Sequence, residues 1–336
     1  MIRRKLGKSE LEVPAIVFGA WAIGGWQWGG SDDVAAAHAI EAGIDAGMNA
    51  IDTAPIYGFG HSEEVVGRAV AERRAEVLLL TKVGLRWDDP RGEFYFKSAD
   101  LAGQPREIWR NSRPDSIVAE VEQSLRRLRT NYIDLVQIHW HDPTTPLSES
   151  LGALARLVQQ GKVRAIGVSN FPPALLQEAQ LELGSIPLAS NQPKYSLVAR
   201  EAENRLLPWC REHGVGAIVY SPLEQGLLTG KVPAQRTFAL DDGRHKRATF
   251  KPENRARVNA LLEREVAPIA RRHKATIAQV VLAWTVAQPG VTSAIAGART
   301  PAQALENAGA GSLVLDTVEL GSIRLGFEQL QLSGSS

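Results

Sequence analysis

Eight short apolar runs, separated by longer amphipathic segments, constrain the fold of this chain more than any other feature of its sequence. The runs cover residues 15–18, 50–53, 77–81, 133–138, 163–168, 188–191, 216–220 and 293–296. Several are continuously apolar, which is typical of strands buried on both faces. Intervening segments such as 117–128 repeat apolar residues at helical spacing, and the segment 255–272 is also predicted to be one helix. The alternation therefore predicts parallel βαβ units.

An open doubly wound sheet and a closed barrel both satisfy this pattern. The count of eight strands and the length of 336 residues favour the α/β class with a single (β/α)8 TIM barrel, one domain over residues 1–336. No G-x-G-x-x-G sequence follows the first strand, so the dinucleotide fingerprint of the open sheet is missing. Long loops at 21–30, 83–113 and 223–254 follow strands 1, 3 and 7. They are expected on the C-terminal face, where barrel enzymes carry their sites.

Composition excludes several classes of partner. The 38 Lys+Arg and 37 Asp+Glu residues leave a net charge of +1, which argues against a nucleic-acid or anionic-membrane surface. No apolar h-region follows the basic start, and no stretch reaches the ~20 residues of a membrane span. The single cysteine, Cys210, forms no internal disulfide or cysteine-based zinc site and fits a reducing compartment. We expect a cytoplasmic protein with a small-molecule partner, as a monomer or weak homo-oligomer, and no metal.

Four polar residues lie at or just after the predicted ends of strands two, three and four. They are Asp52, Tyr57, Lys82 and His139. Adjacent barrel strands would bring these side chains to one rim. Each alone has an ordinary structural explanation, such as a turn cap or a packed core residue. Lys82 after four apolar residues needs a partner at that depth.

This quartet suits proton transfer to a carbonyl oxygen as it becomes an alkoxide. An ammonium beside Tyr57 is expected to lower the pKa of its phenol, and Asp52 would orient Lys82. His139 would hydrogen-bond the substrate oxygen. Because these residues include no nucleophile and no metal cage, a nicotinamide is the simplest source of electrons.

Seven segments resemble the aldo-keto reductases, which are NADPH-dependent (β/α)8 barrels. They occur in the family's order at 49–67, 80–82, 125–140, 161–171, 191–196, 220–231 and 296–307. The segment 19–30 (GAWAIGGWQWGG) is most similar to bacterial general-stress and inositol-operon-associated members.

The resemblance implies a role for each matching position. Asp52, Tyr57, Lys82 and His139 match the catalytic tetrad, with Tyr57 as proton donor. Coenzyme contacts are implied for Ala20, Trp21, Gln27, Asp52, Ser169, Asn170, Gln192, Tyr220, Ser221, Pro222, Leu223, Gln225, Gly226, Lys231, Gly297, Arg299, Gln303, Glu306 and Asn307. Arg299 precedes a helix that opens at Pro301, and its guanidinium can fork onto a 2′-phosphate, which favours NADP over NAD.

Aromatic residues are expected to line the part of the site that binds the substrate. The candidate substrate contacts are Trp21, Tyr57, Trp87, His139 and Trp140. Such walls suit apolar or aromatic aldehydes and the apolar faces of sugars.

The loop at 223–254 is predicted to fold over the coenzyme phosphates as a belt. It carries the cations Arg236, Arg244, Lys246, Arg247 and Lys251.

His141 stands where relatives usually have proline. His139 and His141 alternate along a strand and point to opposite faces, so we do not expect a metal pair.

Three other functions stay open on the sequence. Oxidation of a sugar or polyol with NAD(P)⁺ is the reverse reaction of the same site. A strand-end lysine could form a Schiff base in an aldolase, and the fold could serve as a coenzyme-binding regulatory subunit. The residues specify neither the physiological substrate nor the direction of reaction.

Overall fold

Eight parallel strands close into a barrel in the computed structural model, which describes residues 1–333. The strands of this part of the chain are β1 (Arg3–Lys5), β2 (Glu12–Pro14), β3 (Ile16–Gly19), β4 (Ala50–Asp52), β5 (Leu78–Val83), β6 (Leu85–Arg86), β7 (Glu93–Ala99), β8 (Pro105–Arg110), β9 (Ile133–Ile138), β10 (Val163–Ser169), β11 (Leu188–Gln192), β12 (Gly216–Val219) and β13 (Val291–Gly297). The barrel runs β3, β4, β5, β9, β10, β11, β12, β13. Pairing of Ala294 with Ile16 and of Gly297 with Gly19 closes the ring. The expected (β/α)8 barrel is confirmed.

Helices cover the outside of the barrel. Their bounds are α1 (Asp33–Asp45), α2 (His61–Val70), α3 (Pro114–Arg127), α4 (Leu147–Gln159), α5 (Pro173–Leu183), α6 (Leu206–His213), α7 (Pro252–Leu261), α8 (Ala267–Arg272), α9 (Ile277–Ala287), α10 (Pro301–Gly309) and α11 (Thr317–Glu328). The Asp32 carboxylate caps α1 by accepting the N–H groups of Val34 and Ala35 at 3.0 and 3.1 Å. None of the helices described has the length and apolar character to cross a membrane.

The core has two layers because each barrel strand buries both faces. Outward-facing residues such as Ile51 and Val136 pack under the helices, and inward-facing residues such as Leu80 and Leu135 fill the barrel. A hairpin of β1 and β2, which the sequence pattern did not predict, adds Leu6 to the inner layer. The packed interior leaves the C-terminal ends of the strands as the place for a site.

The structure corrects two expectations about secondary structure and adds one helix that the sequence pattern did not predict. The segment 83–113 is not an irregular loop, because β6, β8 and β7 form an antiparallel sheet there. The helix predicted over 255–272 is interrupted by a π-helical turn at Leu262–Val266. The C-terminal helix α11 was not predicted, although Asp316 and Glu319 form a capping box at its start.

Candidate active site

The carboxyl ends of successive barrel strands supply most of the polar side chains of the site. Asp52 and Ser169 end β4 and β10, and Gln192 ends β11. His139 and Tyr220 follow β9 and β12 directly. Because parallel strands of a closed barrel end at one face, residues far apart in sequence meet there.

Lys82 and Asp52 form a buried ion pair at the base of the site. Lys82 Nζ lies 2.7 Å from Asp52 Oδ1 and 3.0 Å from the carbonyl oxygen of Thr53. The second carboxylate oxygen of Asp52 accepts a hydrogen bond of 2.8 Å from Gln192 Nε2. Burial alone would lower the pKa of Lys82, but the charge of Asp52, the hydrogen bond to it and the adjacent Tyr57 phenol outweigh burial and raise the pKa. Lys82 is therefore a fixed ammonium.

Tyr57 lies directly over this ammonium. Lys82 Nζ is 5.0 Å from the centroid of the phenol ring, which is within cation–π range. Burial raises the pKa of the Tyr57 phenol, Lys82 opposes the rise, and Asp52 adds to it. The expectation that Lys82 lowers this pKa overall was wrong, because desolvation of a phenolate outweighs one nearby cation. The phenol stays protonated through the neutral range and can donate a proton.

His139 faces the phenol edge-on, with ring centroids 6.0 Å apart and planes at 83°. Burial, together with the positive charge of Lys82, holds the pKa of His139 well below its usual value. The imidazole is thus neutral, with one N–H to offer as a hydrogen-bond donor. It is suited to polarising an oxygen rather than to delivering a proton.

A second cluster of polar side chains lies beside the tetrad. Ser169 Oγ donates to the carbonyl oxygen of Gln192 at 2.8 Å, and Asn170 Nδ2 donates to Ser169 Oγ at 3.0 Å. Tyr220 donates its phenol proton to Asn170 Oδ1 at 3.0 Å. Asn170 has φ +62°, so its backbone is held in the left-handed region. These bonds preorganise a row of amide and hydroxyl groups.

One cavity of about 560 Å³ connects these residues. Predicted coenzyme contacts that line it are Trp21, Gln27, Asp52, Ser169, Asn170, Gln192, Tyr220, Ser221, Pro222, Leu223, Gln225, Gly226, Lys231, Gly297, Arg299, Gln303, Glu306 and Asn307. Predicted substrate contacts that line it are Trp21, Tyr57, His139 and Trp140. Lys82 lies beneath the cavity, fully buried.

Two predicted contacts lie elsewhere. Ala20 is buried behind the wall, where its carbonyl oxygen accepts the Ser62 hydroxyl at 2.8 Å. Trp87 packs edge-on against Phe59, with centroids 5.3 Å apart, and does not line the cavity. The family resemblance suggested Ala20, and its place in the loop after the third strand suggested Trp87. Ala20 instead packs in the core under the helices, and Trp87 is held by an aromatic neighbour.

The antiparallel sheet supplies three cavity residues that the sequence did not reveal. Leu85, Tyr95 and Phe96 line the substrate end. Trp26 ties its own loop to this sheet, since its indole N–H donates to Ser98 Oγ at 3.0 Å. The only sequence signal was the aromatic content of 94–96, which fits a strand that packs one face over a cavity.

The predicted belt crosses the cavity and contacts the loop after the first barrel strand. The Gly243 N–H donates to the Gln27 carbonyl oxygen at 2.9 Å, and Asp242 forms a β-bridge with Trp28. Arg236, Arg244 and Arg247 line the cavity as predicted. Lys246 and Lys251 do not line it, and both are exposed.

The far end of the cavity concentrates unpaired positive charge. Arg236, Arg247 and Arg299 pair with no carboxylate among residues 1–333, whereas Arg244 is held by Asp242 at 2.6 Å. Arg299 donates to the Trp28 carbonyl oxygen at 3.3 Å. Burial, with the charge of Arg244, lowers the pKa of Arg299. Crowded cations of this kind fit a phosphate-bearing ligand.

The loop after β12 also fits an anion. Glu224, Gln225 and Gly226 are consecutive residues with φ of +43°, +54° and +95°. Successive left-handed residues turn backbone N–H groups toward one side, and such strained backbone clusters at functional sites. Lys194 pairs with Glu224 at 2.9 Å and holds this loop in place.

His141 takes no part in the cavity. Its ring packs against Phe171, with centroids 5.8 Å apart, while His139 faces Tyr57. Within residues 1–333, no group of three or more His, Cys, Asp or Glu side chains is arranged to hold a metal ion.

Gly58 fixes the loop that carries Tyr57. Its φ is +69°, and an added Cβ would lie 2.2 Å from the Gly24 carbonyl oxygen. We expect Gly58→Ala to lower the free energy of unfolding by roughly 1–3 kcal/mol, because strain and a backbone clash combine. Urea denaturation measures this loss. Gly103→Ala is the control, since Gly103 has φ +78° but open space around it. Equal losses for both variants would contradict a clash.

Comparisons with known proteins agree with this geometry. The model of the "Aldo/keto reductase family" matches residues 15–325. The chain is 38% identical to the aldo-keto reductase YhdN of Bacillus subtilis (strain 168), over 89% of this chain and 85% of that protein. It is 36% identical to the NADH-specific methylglyoxal reductase of Escherichia coli (strain K12), over 97% and 98% of the two chains. The structure of the glycerol dehydrogenase AKR11B4 from Gluconobacter oxydans is similar, with a TM-score of 0.85, 36% identity, and 99% and 98% of the chains covered.

Proposed function

Because this chain belongs to the aldo/keto reductase family, we propose that it reduces a carbonyl compound to an alcohol with NADPH and that Tyr57 donates the proton. The observation that carries this proposal is the placement of the Tyr57 phenol over the buried Lys82–Asp52 pair, at one end of a cavity whose other end holds unpaired arginines. A proton donor and an anchor for a phosphate-bearing coenzyme therefore share one cavity.

Each residue of the tetrad has a distinct task. When bound, the coenzyme supplies a hydride to the carbonyl carbon. Tyr57 donates its proton to the carbonyl oxygen as negative charge develops there. The Lys82 ammonium stabilises the phenolate left behind, and Asp52 keeps Lys82 charged and oriented. The neutral His139 donates a hydrogen bond to the same oxygen and fixes the position of the carbonyl.

The chain's own residues indicate how the coenzyme is held. Ser169, Asn170 and Gln192 would bind the amide of the nicotinamide, and Tyr220 would stack on its ring. The left-handed loop at 224–226 would receive the pyrophosphate. Arg299 and Arg236 would receive the 2′-phosphate, which supports NADPH even though the E. coli relative is NADH-specific.

The aromatic walls support a neutral carbonyl substrate with an apolar face. Trp21, Tyr95, Phe96 and Trp140 line the cavity beside the tetrad, and among residues 1–333 Asp52 is the only carboxylate that lines this end of it. Aromatic aldehydes and the apolar faces of sugars fit such walls.

Two of the other functions fit the geometry less well. A Schiff-base lysine must lose its proton to attack a carbonyl, whereas the raised pKa of Lys82 keeps it charged. A regulatory subunit would not need a complete tetrad. Oxidation of a polyol uses the same residues in reverse, and similarity to a glycerol dehydrogenase keeps it as the second candidate.

The experiment that tests the proposal measures coenzyme consumption with NADPH and NADH against aldehydes, ketoses and pyridoxal. Oxidation of glycerol and other polyols with NADP⁺ is measured in parallel. We expect turnover of at least one carbonyl class with NADPH. Absence of turnover in both directions would contradict the proposal.

Coenzyme choice gives a separate prediction. We expect Arg299→Gln to weaken NADPH binding by about 10-fold or more, because a charge-assisted hydrogen bond contributes roughly 1.5–3 kcal/mol. NADH lacks the 2′-phosphate, so its affinity should change by less than about 3-fold. Quenching of tryptophan fluorescence reports both affinities, since Trp21 and Trp28 line the cavity. An equal loss for both coenzymes would place Arg299 away from the 2′-phosphate.

A further inference from the structure

The substrate end of the cavity has a wall that does not belong to the barrel. We use "substrate wall" for Leu85, Tyr95 and Phe96, which come from the antiparallel sheet of β6, β7 and β8 and line the cavity. The chain leaves the barrel at Val83 and enters β6 at Leu85. Gly84 is therefore the single residue that joins the wall to the strand carrying Lys82.

Gly84 is held from both sides of its backbone. Its N–H donates to Glu120 Oε1 at 2.7 Å, and its carbonyl oxygen accepts the Asn111 N–H at 3.1 Å. Its φ is +93°, and an added Cβ would lie 2.9 Å from Ser112 Oγ. The preceding carbonyl oxygen, that of Val83, accepts the His139 N–H at 2.9 Å. The junction is thus tightly packed and adjoins the tetrad.

Among residues 1–333, the carboxyl of Glu120 forms no ion pair. Glu120 lies on α3, is 2% exposed, and its Oε2 atom is buried without a hydrogen bond. Three charged side chains face it: Arg86 from β6, Asp88 from the loop after β6, and Glu63 from α2. Arg86 directs its donors to Asp88 and to Ser116 instead.

Both carboxylate oxygens of Glu63 are likewise bonded to other residues. Arg127 donates to one of its oxygens at 2.7 Å, and the Thr81 hydroxyl donates to the other at 2.6 Å. In the described part of the chain, no cation therefore pairs with Glu120, and this favours the uncharged form of its carboxyl.

We propose that Glu120 is a positioning residue for the substrate wall: its neutral carboxyl fixes Gly84, and ionisation of that carboxyl loosens the wall while the coenzyme end stays unchanged.

The direction of the pH effect follows from burial. Burial raises the pKa of Glu120 to about 8, the charge of Arg86 and the Gly84 N–H oppose this rise, and Asp88 and Glu63 add to it. Below that pH the carboxyl is neutral. Above it, an unpaired negative charge is buried at the junction, which is unfavourable unless the surrounding backbone opens to water.

Hydrogen exchange tests this directly and needs no substrate. Amide exchange in residues 85–110, corrected for the intrinsic effect of pH, is compared at about pH 6.5 and about pH 9.5. In the wild type we expect exchange there to rise by about 10-fold or more, because the opened junction lets the carboxyl ionise at its ordinary pKa, and each pH unit between that value and the raised pKa favours the open form by up to about 10-fold. Amides of the belt at 223–254 should show no such rise.

Two variants distinguish a positioning role of Glu120 from a general effect of carboxylate charge on this helix. In Glu120→Gln the amide oxygen can still accept from Gly84 but cannot ionise, so its exchange should be independent of pH. Glu122→Gln is the matched control, because Glu122 lies on the same helix but is half-buried and paired with Lys162. Glu122→Gln should show the same pH-dependent rise in exchange as the wild type. A wild type without the pH-dependent rise, or a Glu120→Gln protein that retains it, would overturn the proposal.

A second readout uses catalysis and rests on the proposed function. In the wild type we expect KM for the carbonyl substrate to rise several-fold above pH 8, with the coenzyme Kd unchanged, and Glu120→Gln should abolish that rise in KM. A rise in KM that persists in Glu120→Gln would count against the proposal. If the protein reduces no carbonyl compound, the proposed function fails and the exchange experiment still decides the role of Glu120.

Discussion

Tyr57→Phe is expected to lower kcat for carbonyl reduction by at least about 100-fold, because general-acid catalysis contributes roughly 10²–10⁴-fold. The substitution removes one oxygen and keeps the ring that packs against Trp21, at a centroid distance of 6.1 Å. Coenzyme affinity should therefore remain within about 2-fold of the wild-type value, and KM should change less than kcat. Steady-state kinetics and fluorescence titration with coenzyme measure the two effects separately.

Tyr132→Phe is the matched control for this prediction. Tyr132 lies outside the cavity, between the guanidinium groups of Arg74 and Arg164 at 3.8 and 4.0 Å. Loss of its hydroxyl should leave kcat within about 2-fold. If Tyr57→Phe retained most of the wild-type kcat, another group would have to supply the proton.

Lys82→Met is expected to reduce both activity and stability. Lys82 and Asp52 are buried at a distance of 2.7 Å, with side chains 1% and 4% exposed. Removal of the ammonium leaves the carboxylate with only the Gln192 amide as a partner. Because an uncompensated buried charge costs roughly 3–5 kcal/mol, the free energy of unfolding should fall by that amount. Reduction should also become slower by at least about 100-fold, since the phenolate loses its cation.

Arg68→Met gives the comparison for the stability effect. Arg68 pairs with Asp33 at the same distance, 2.7 Å, but the two side chains are 41% and 39% exposed. Exposed pairs contribute about 0–1 kcal/mol, so this variant should be nearly as stable as the wild type. Equal losses for the two variants in urea denaturation would contradict a special role for the buried pair.

The sequence was sufficient to predict the barrel because its strands are buried on both faces. All six residues of β9, for example, are buried, and four of them are apolar, so the segment has the composition of a strand buried on both faces. The same regularity predicted the tetrad, since Asp52, Lys82 and His139 lie at the ends of three such runs. The structure places these residues together with Tyr57 at the base of the cavity.

The antiparallel sheet could not be predicted in this way. In β7, half-buried and exposed positions alternate irregularly, and charged residues occur among the aromatic ones. Its partner β8 begins with a proline and two charged residues. Pairing between two such strands depends on tertiary context, which periodicity does not report.

The effect of burial on side-chain pKa values was the other property that the sequence could not predict. The neighbours of Tyr57 were predicted correctly, but the direction of its pKa depends on how completely the phenol is shielded from water. Only the structure shows that burial outweighs the charge of Lys82. The raised pKa of Glu120 was not predicted for the same reason, since nothing in the sequence of α3 marks that residue as buried with one carboxyl oxygen unpartnered.

The central claim is that a hydride from the reduced nicotinamide and a proton from Tyr57 together convert a carbonyl to an alcohol. A single turnover with NADPH that carries deuterium at the transferable position tests it most directly, with mass spectrometry of the product. The claim predicts one deuterium on the former carbonyl carbon of every alcohol molecule. An alcohol free of deuterium, or deuterated coenzyme that stays unoxidised in the presence of bound substrate, would contradict it.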